Sequence, residues 1–178
     1  MQNRICIVSF TTYLVFLIIY SLFFQKMNDM VQHNLFTSIL IGLFCASTSF
    51  CGAAIGFFEA IITFLLFSLS VLHKYSSLST ALIAELPILV KFSFMGIVIG
   101  AIVSTTKKGG SLFVWSYITQ LLGDLFAHIT DLVLKPEFYL LTLLPYRSIE
   151  YLMYSLSSMF IFYLFLIFEE LLKKRKKE

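Results

Sequence analysis

Asp124, His128 and Asp131 follow one another at offsets of four and three residues. On a helix this spacing puts all three on one face. Two carboxylates and an imidazole so arranged could relay a proton or begin a metal site. A zinc site would need a further strong ligand from elsewhere, and none is evident. Cys6, Cys45 and Cys51 are isolated in apolar context and read as small packing residues. The plainer reading of the helix face is a buried polar seam that pairs with Lys91 or Arg147 and fixes helix register.

Four more ionisable groups, Glu59, Glu85, Lys91 and Glu150, lie in or at the start of apolar segments. A charge in hydrocarbon costs roughly 2.5–3.5 kcal/mol on insertion scales, so each needs a partner or an aqueous cavity. Glu85 and Lys91 are six residues apart and fall on different helix faces. Lys91 therefore looks to Glu59 or Asp124. Arg147 and Glu150 have the spacing of a local pair. No Gly-rich phosphate loop, His-Glu-x-x-His or Gly-x-Ser-x-Gly pattern occurs. The chain is expected to be non-catalytic and to need no cofactor.

The segments that must carry these residues are membrane spans. Hydrophobic residues make up 59% of the 178 positions and charged residues 13%, where a soluble domain has about half and about a quarter. The excess comes in blocks close to the ~20 helical residues that cross a bilayer. Runs such as Leu14 to Phe24 do not alternate as barrel strands would. The expected fold is all-α, one polytopic transmembrane domain over 1–178 with a basic tail at 173–178. Six spans are read at about Cys6–Phe24, Leu35–Ser49, Gly52–Leu72, Ser79–Ser104 (kinked by Pro87), Ser111–Leu134 and Ser148–Leu172. The first block continues to Phe24 with no small-residue cleavage site, so it reads as a retained helix.

The net charge of +3 is not a nucleic-acid signal, because the basic residues sit at block ends. With the N-terminus in the cytoplasm, Arg4, Lys107, Lys108 and five tail residues fall on that side. Lys26, Lys74, Lys135 and Arg147 fall on the other. Eight against four places both termini inside and requires an even number of spans.

Glycines four apart recur in Gly52-Ala53-Ala54-Ile55-Gly56 and Gly96-Ile97-Val98-Ile99-Gly100. Such pairs make a flat strip for close helix approach. They serve either packing within this bundle or docking of a partner helix.

Several of these features together resemble the bacterial rod shape-determining MreD family. They are Leu22-Phe23-Phe24-Gln25, the aliphatic Leu35 to Phe44, Gly52 through Gly56-Phe57, the later Gly96 and Gly100, and Leu143-Leu144-Pro145 before a last helix with a basic tail. The resemblance implies a multi-pass subunit of the bacterial inner membrane within the cell-elongation machinery. It would bind an MreC-like bitopic protein and support lateral peptidoglycan synthesis. On that reading the bundle end near Trp115, Asp124 and Arg147 holds no occupied, enclosed pocket. The functional surface is then an exposed groove beside Gly52 and Gly56 or Gly96 and Gly100. The chain is also similar to the substrate-binding S-component of energy-coupling-factor vitamin transporters, in size, six helices and Gly-rich segments. Its first helix lacks the small-residue strip of that family. Under that resemblance Trp115, Tyr117 and Asp124 are the pocket residues.

Overall fold

The computed structural model describes residues 2–23, 30–106, 108–134 and 144–174. They form α1 (Gln2–Phe23), α2 (Met30–Cys51), α3 (Ala53–Ser70), a single 3-10 turn (Leu72–Lys74), α4 (Leu78–Ala84), α5 (Leu86–Thr106), α6 (Gly109–Leu134) and α7 (Leu144–Lys174). No strand occurs among the described residues. Five helices, α1, α2, α3, α5 and α7, contain stretches long and apolar enough to cross a membrane. The sixth long helix, α6, is the one interrupted by Asp124, His128 and Asp131.

Pair contacts fix the directions. Cys6 meets Cys51 and Tyr20 meets Thr37, so α1 and α2 are antiparallel. Gly56 lies on Gly96, and Gly52 with Ala53 on Gly100, so α3 and α5 are antiparallel. Lys91 meets Asp124, Arg147 meets Asp124, and Gly109 lies against Tyr163; α6 therefore runs against both α5 and α7. The result is an up-and-down bundle in which the start of α1 and the end of α7 share one end. α2 is its axis: 67% of its span is buried, against 28% for α1, α3 and α7. Outward faces stay apolar. On α7, Ile149, Met153, Leu156, Phe160, Leu164, Ile167 and Leu171 are exposed at helical spacing, a stripe that in lipid has acyl chains as its neighbours.

Local chemistry sets the breaks. Only Gly52 separates α2 from α3, and its φ of 91° is a left-handed value that a residue with a Cβ adopts at a cost. The expected fourth span is instead two pieces. α4 starts on a Ser77–Thr80 capping box and stops at Ala84; α5 restarts at Leu86. Pro87 then lies in the first turn of α5, where its missing N–H is not needed. The second span also starts earlier than Leu35, at Met30. The polar residues of its first turns continue the helix beyond its apolar stretch. The beginning of the expected connection from Lys135 to Arg147, and most of the basic tail, lie outside the described residues.

The cysteine reading is corrected in part. Cys6 and Cys51 are disulfide-bonded, with Cα atoms 5.0 Å apart. The antiparallel α1–α2 hairpin brings them together although they lie 45 residues apart in sequence. Cys45 remains a buried thiol beside the Ser116 hydroxyl.

Candidate functional site

The polar face of α6 points into the bundle. Asp124 and His128 are 3% and 8% exposed, and Asp131 is half-buried. All three line a cavity of about 690 Å³. It opens at the end where α1, α3 and α6 finish and α2, α5 and α7 begin, opposite the disulfide. Lys91 from α5 puts Nζ 2.5 Å from Asp124 Oδ1, and Arg147 from α7 puts Nη1 3.4 Å from Asp124 Oδ2. One carboxylate thus holds two cations from two neighbouring helices. Lys91 Nζ also sits 5.2 Å from the centroid of the Tyr151 ring, within cation–π range. Gly123 makes room for this: a Cβ there would lie 3.2 Å from Lys91 Cγ.

Other ionisable residues have different partners from those expected. Arg147 turns to Asp124, and no ion pair joins it to Glu150 among the described residues. Glu59 is fully buried and accepts hydrogen bonds from the Ser47 and Thr48 hydroxyls of α2. Tyr13 and Thr63 share a further hydroxyl contact there, with Thr63 donating to the Glu59 carbonyl. Glu85 accepts from the Tyr75 hydroxyl at 3.4 Å.

The glycine pairs lie inside the bundle, so the expected exposed groove is corrected. A Cβ on Gly56 would stand 2.7 Å from the Gly96 carbonyl oxygen, and one on Gly96 2.5 Å from that of Gly56. A Cβ on Gly100 would meet the Gly52 carbonyl carbon at 2.5 Å. These residues are already in backbone contact with one another. A Cβ on Gly52 itself would meet nothing within 4 Å, so what calls for glycine there is its φ. The bundle end near Asp124 and Arg147, expected to hold no occupied, enclosed pocket, does hold a cavity, one that opens at that end. Trp115 and Tyr117 pack against the core and are not among its lining.

Several lining residues escaped the sequence reading: Tyr20, His33, Thr37, Phe92, Tyr151 and Tyr154. A signal existed for two of them. Arg147, Tyr151 and Tyr154 repeat the offsets of Asp124, His128 and Asp131, so two facing helices carry the same polar period. A second missed feature is a hydroxyl ladder between α6, α7 and α2. Gln120 Nε2 donates to the Ser116 carbonyl at 3.1 Å and to Ser155 Oγ at 3.3 Å, Ser116 and Ser158 hydroxyls meet at 3.3 Å, and Ser38 meets Ser157 at 2.5 Å. Such interhelical bonds contribute about 0.6 kcal/mol each in lipid.

Among the described residues no three His, Cys, Asp or Glu side chains converge as metal ligands. Among the described residues of the cavity wall, two polar atoms are buried without a partner: His128 Nε2 and the Tyr151 hydroxyl. A buried polar atom without a hydrogen bond costs about 1–3 kcal/mol, and a bound molecule with matching groups would relieve it. Compared with family models, curated proteins and solved structures, this chain finds no match.

Proposed function

We propose that this protein is a membrane receptor subunit that captures a small molecule in the cavity between α2, α5, α6 and α7, in the manner of a transporter's substrate-binding S-component. The observation that carries the reading is the cavity itself: about 690 Å³, with Lys91, Asp124, His128 and Arg147 converging on it from three helices. Ligand sites are typically clefts of roughly 300–1,000 Å³ with a few placed polar groups in an apolar wall. The rival proposal is the MreD-like scaffold bound to an MreC-like bitopic protein. It rests on the sequence resemblance, while the glycine strips it would use for docking are occupied by α3 and α5 themselves.

The test is to purify the tagged full-length chain from its native membranes, denature it and identify released small molecules by mass spectrometry. The wild type is expected to release one compound in near-equal amount. Ala127→Trp, which fills the cavity from a wall position, is expected to release none while eluting as the same folded species. Wild-type protein that carries no compound, and co-purifies with a bitopic partner, would defeat the capture reading in favour of the scaffold.

We further propose residence in a bacterial inner membrane with the Cys6–Cys51 end cytoplasmic and the cavity open to the outside. The eight-to-four basic asymmetry supports this. The disulfide pulls the other way, since cytoplasmic thiols are kept reduced. The charge bias weighs more, because it acts while the chain inserts, whereas the bond can form later once the two sulfurs meet an oxidant. A reporter fused after Glu178 is expected to show cytoplasmic activity; phosphatase activity from that position would reverse the assignment.

A further inference from the structure

The cavity wall is not neutral. Among the described residues that line it, Lys91 and Arg147 are the cations, and both are held by Asp124. Asp131 and Glu150 also line it and have no ion pair or hydrogen bond among the described residues. Among the described lining residues two positively charged side chains stand against three carboxylates, and both cations share the single carboxylate of Asp124. An anion entering here would add to an excess of negative charge. A cation would cancel it, and low dielectric makes that difference larger than in water.

The rest of the wall selects a shape. Tyr20 packs beside Phe67 with ring centroids 5.6 Å apart, and Tyr151 beside Tyr154 at 6.3 Å. Both pairs line the cavity, one from α1 and α3 and the other from α7. Aromatic faces attract cations and planar rings. The unpartnered His128 Nε2 and Tyr151 hydroxyl, on residues 8% and 1% exposed, then need a polar edge on whatever occupies the space.

We propose that the cavity takes a small organic cation with an aromatic ring, its positive group drawn to Asp131 and Glu150 and a polar edge meeting His128 and Tyr151. This rests on the capture reading and adds the ligand's charge class to it.

Tryptamine, indole-3-acetamide and indole-3-acetate have nearly the same size and differ in charge, so they separate the charge effect from shape. Calorimetric titration of each into the full-length chain in nanodiscs is expected to rank tryptamine first by about tenfold or more over the acetate. Glu150→Gln and Asp131→Asn should each weaken tryptamine about tenfold while indole-3-acetamide stays unchanged. Equal or tighter binding of the acetate, no saturable binding of any of the three, or loss of the acetamide together with tryptamine would overturn the cation assignment. The compound released from the wild-type protein distinguishes this failure from a failure of capture. A released anion or neutral molecule refutes the cation alone, whereas no released compound refutes capture.

Discussion

Gly96→Ala is expected to destabilise the folded bundle by about 1–3 kcal/mol, and Gly96→Leu or Gly56→Leu to abolish the folded, monodisperse species. The reason is geometric. The nearest atoms to a Cβ on Gly96 are the oxygen, carbonyl carbon and Cα of Gly56, all backbone, at 2.5, 2.6 and 3.1 Å. No rotamer change can clear backbone, so α3 and α5 must move apart along their whole contact. That contact is one of the most extensive in the bundle, and in lipid it rests on close van der Waals approach, because apolar side chains gain nothing by leaving acyl chains. The measurement is thermal unfolding in detergent followed by size-exclusion chromatography. The control is Gly110→Leu, at an exposed position with nothing within 4 Å of its Cβ, which should leave the midpoint unchanged. If Gly96→Leu folds as well as Gly110→Leu does, the α3–α5 crossing is misdescribed. The same outcome would return Gly56 and Gly96 to the role of a surface strip free to dock a partner helix.

Much of the bundle is legible from period and length. The apolar blocks locate the six long helices, and the offsets of Asp124, His128 and Asp131 locate the inward face of α6, because both are properties of one segment read alone. What escapes is anything that needs two segments at once. Gly56 and Gly96 read equally well as internal or external until α3 is laid on α5. Cys6 and Cys51 carry no pairing signal without the α1–α2 hairpin. Glu59 looked like a charge in want of a cation, yet its neighbours are Ser47 and Thr48, whose hydroxyls belong to a stretch of α2 buried on all sides. Hydroxyl residues in an apolar run are weak signals singly, since they can satisfy themselves on their own helix, as Thr48 also does through the Phe44 carbonyl. The cavity is the extreme case. Its wall takes residues from six helices, and only the facing periods of α6 and α7 hinted that two polar stripes would meet.

The largest single-residue effect expected at the cavity is at Asp124. Replacing it by asparagine leaves Lys91 and Arg147 without their shared carboxylate, and the two cations are not equally vulnerable. The Arg147 side chain is 41% exposed and sits 3.4 Å from its oxygen, so it turns to water at little loss; exposed pairs are worth about 0–1 kcal/mol. The Lys91 side chain is 16% exposed and 2.5 Å from Asp124. Its ammonium, left between Tyr151 and an amide, is the buried unpaired charge that makes broken pairs costly, by roughly 3–5 kcal/mol when fully enclosed. Partial exposure sets the expectation at the lower end, about 3 kcal/mol, or a drop in thermal midpoint of about 6–12 °C for a chain of this length. The sign should reverse in the double variant. Lys91→Met with Asp124→Leu removes both charges and fills the space with apolar atoms, and such replacements of buried pairs are commonly neutral or stabilising. Three thermal midpoints therefore decide the matter: Asp124→Asn well below wild type, Lys91→Met intermediate, and the double variant near wild type. A double variant as unstable as Asp124→Asn would mean that Asp124 stabilises the bundle through something other than Lys91. The double variant removes one charge of each sign, so the excess of negative charge supplied by Glu150 and Asp131 is unchanged. A cationic ligand should bind it no more weakly than it binds the wild type.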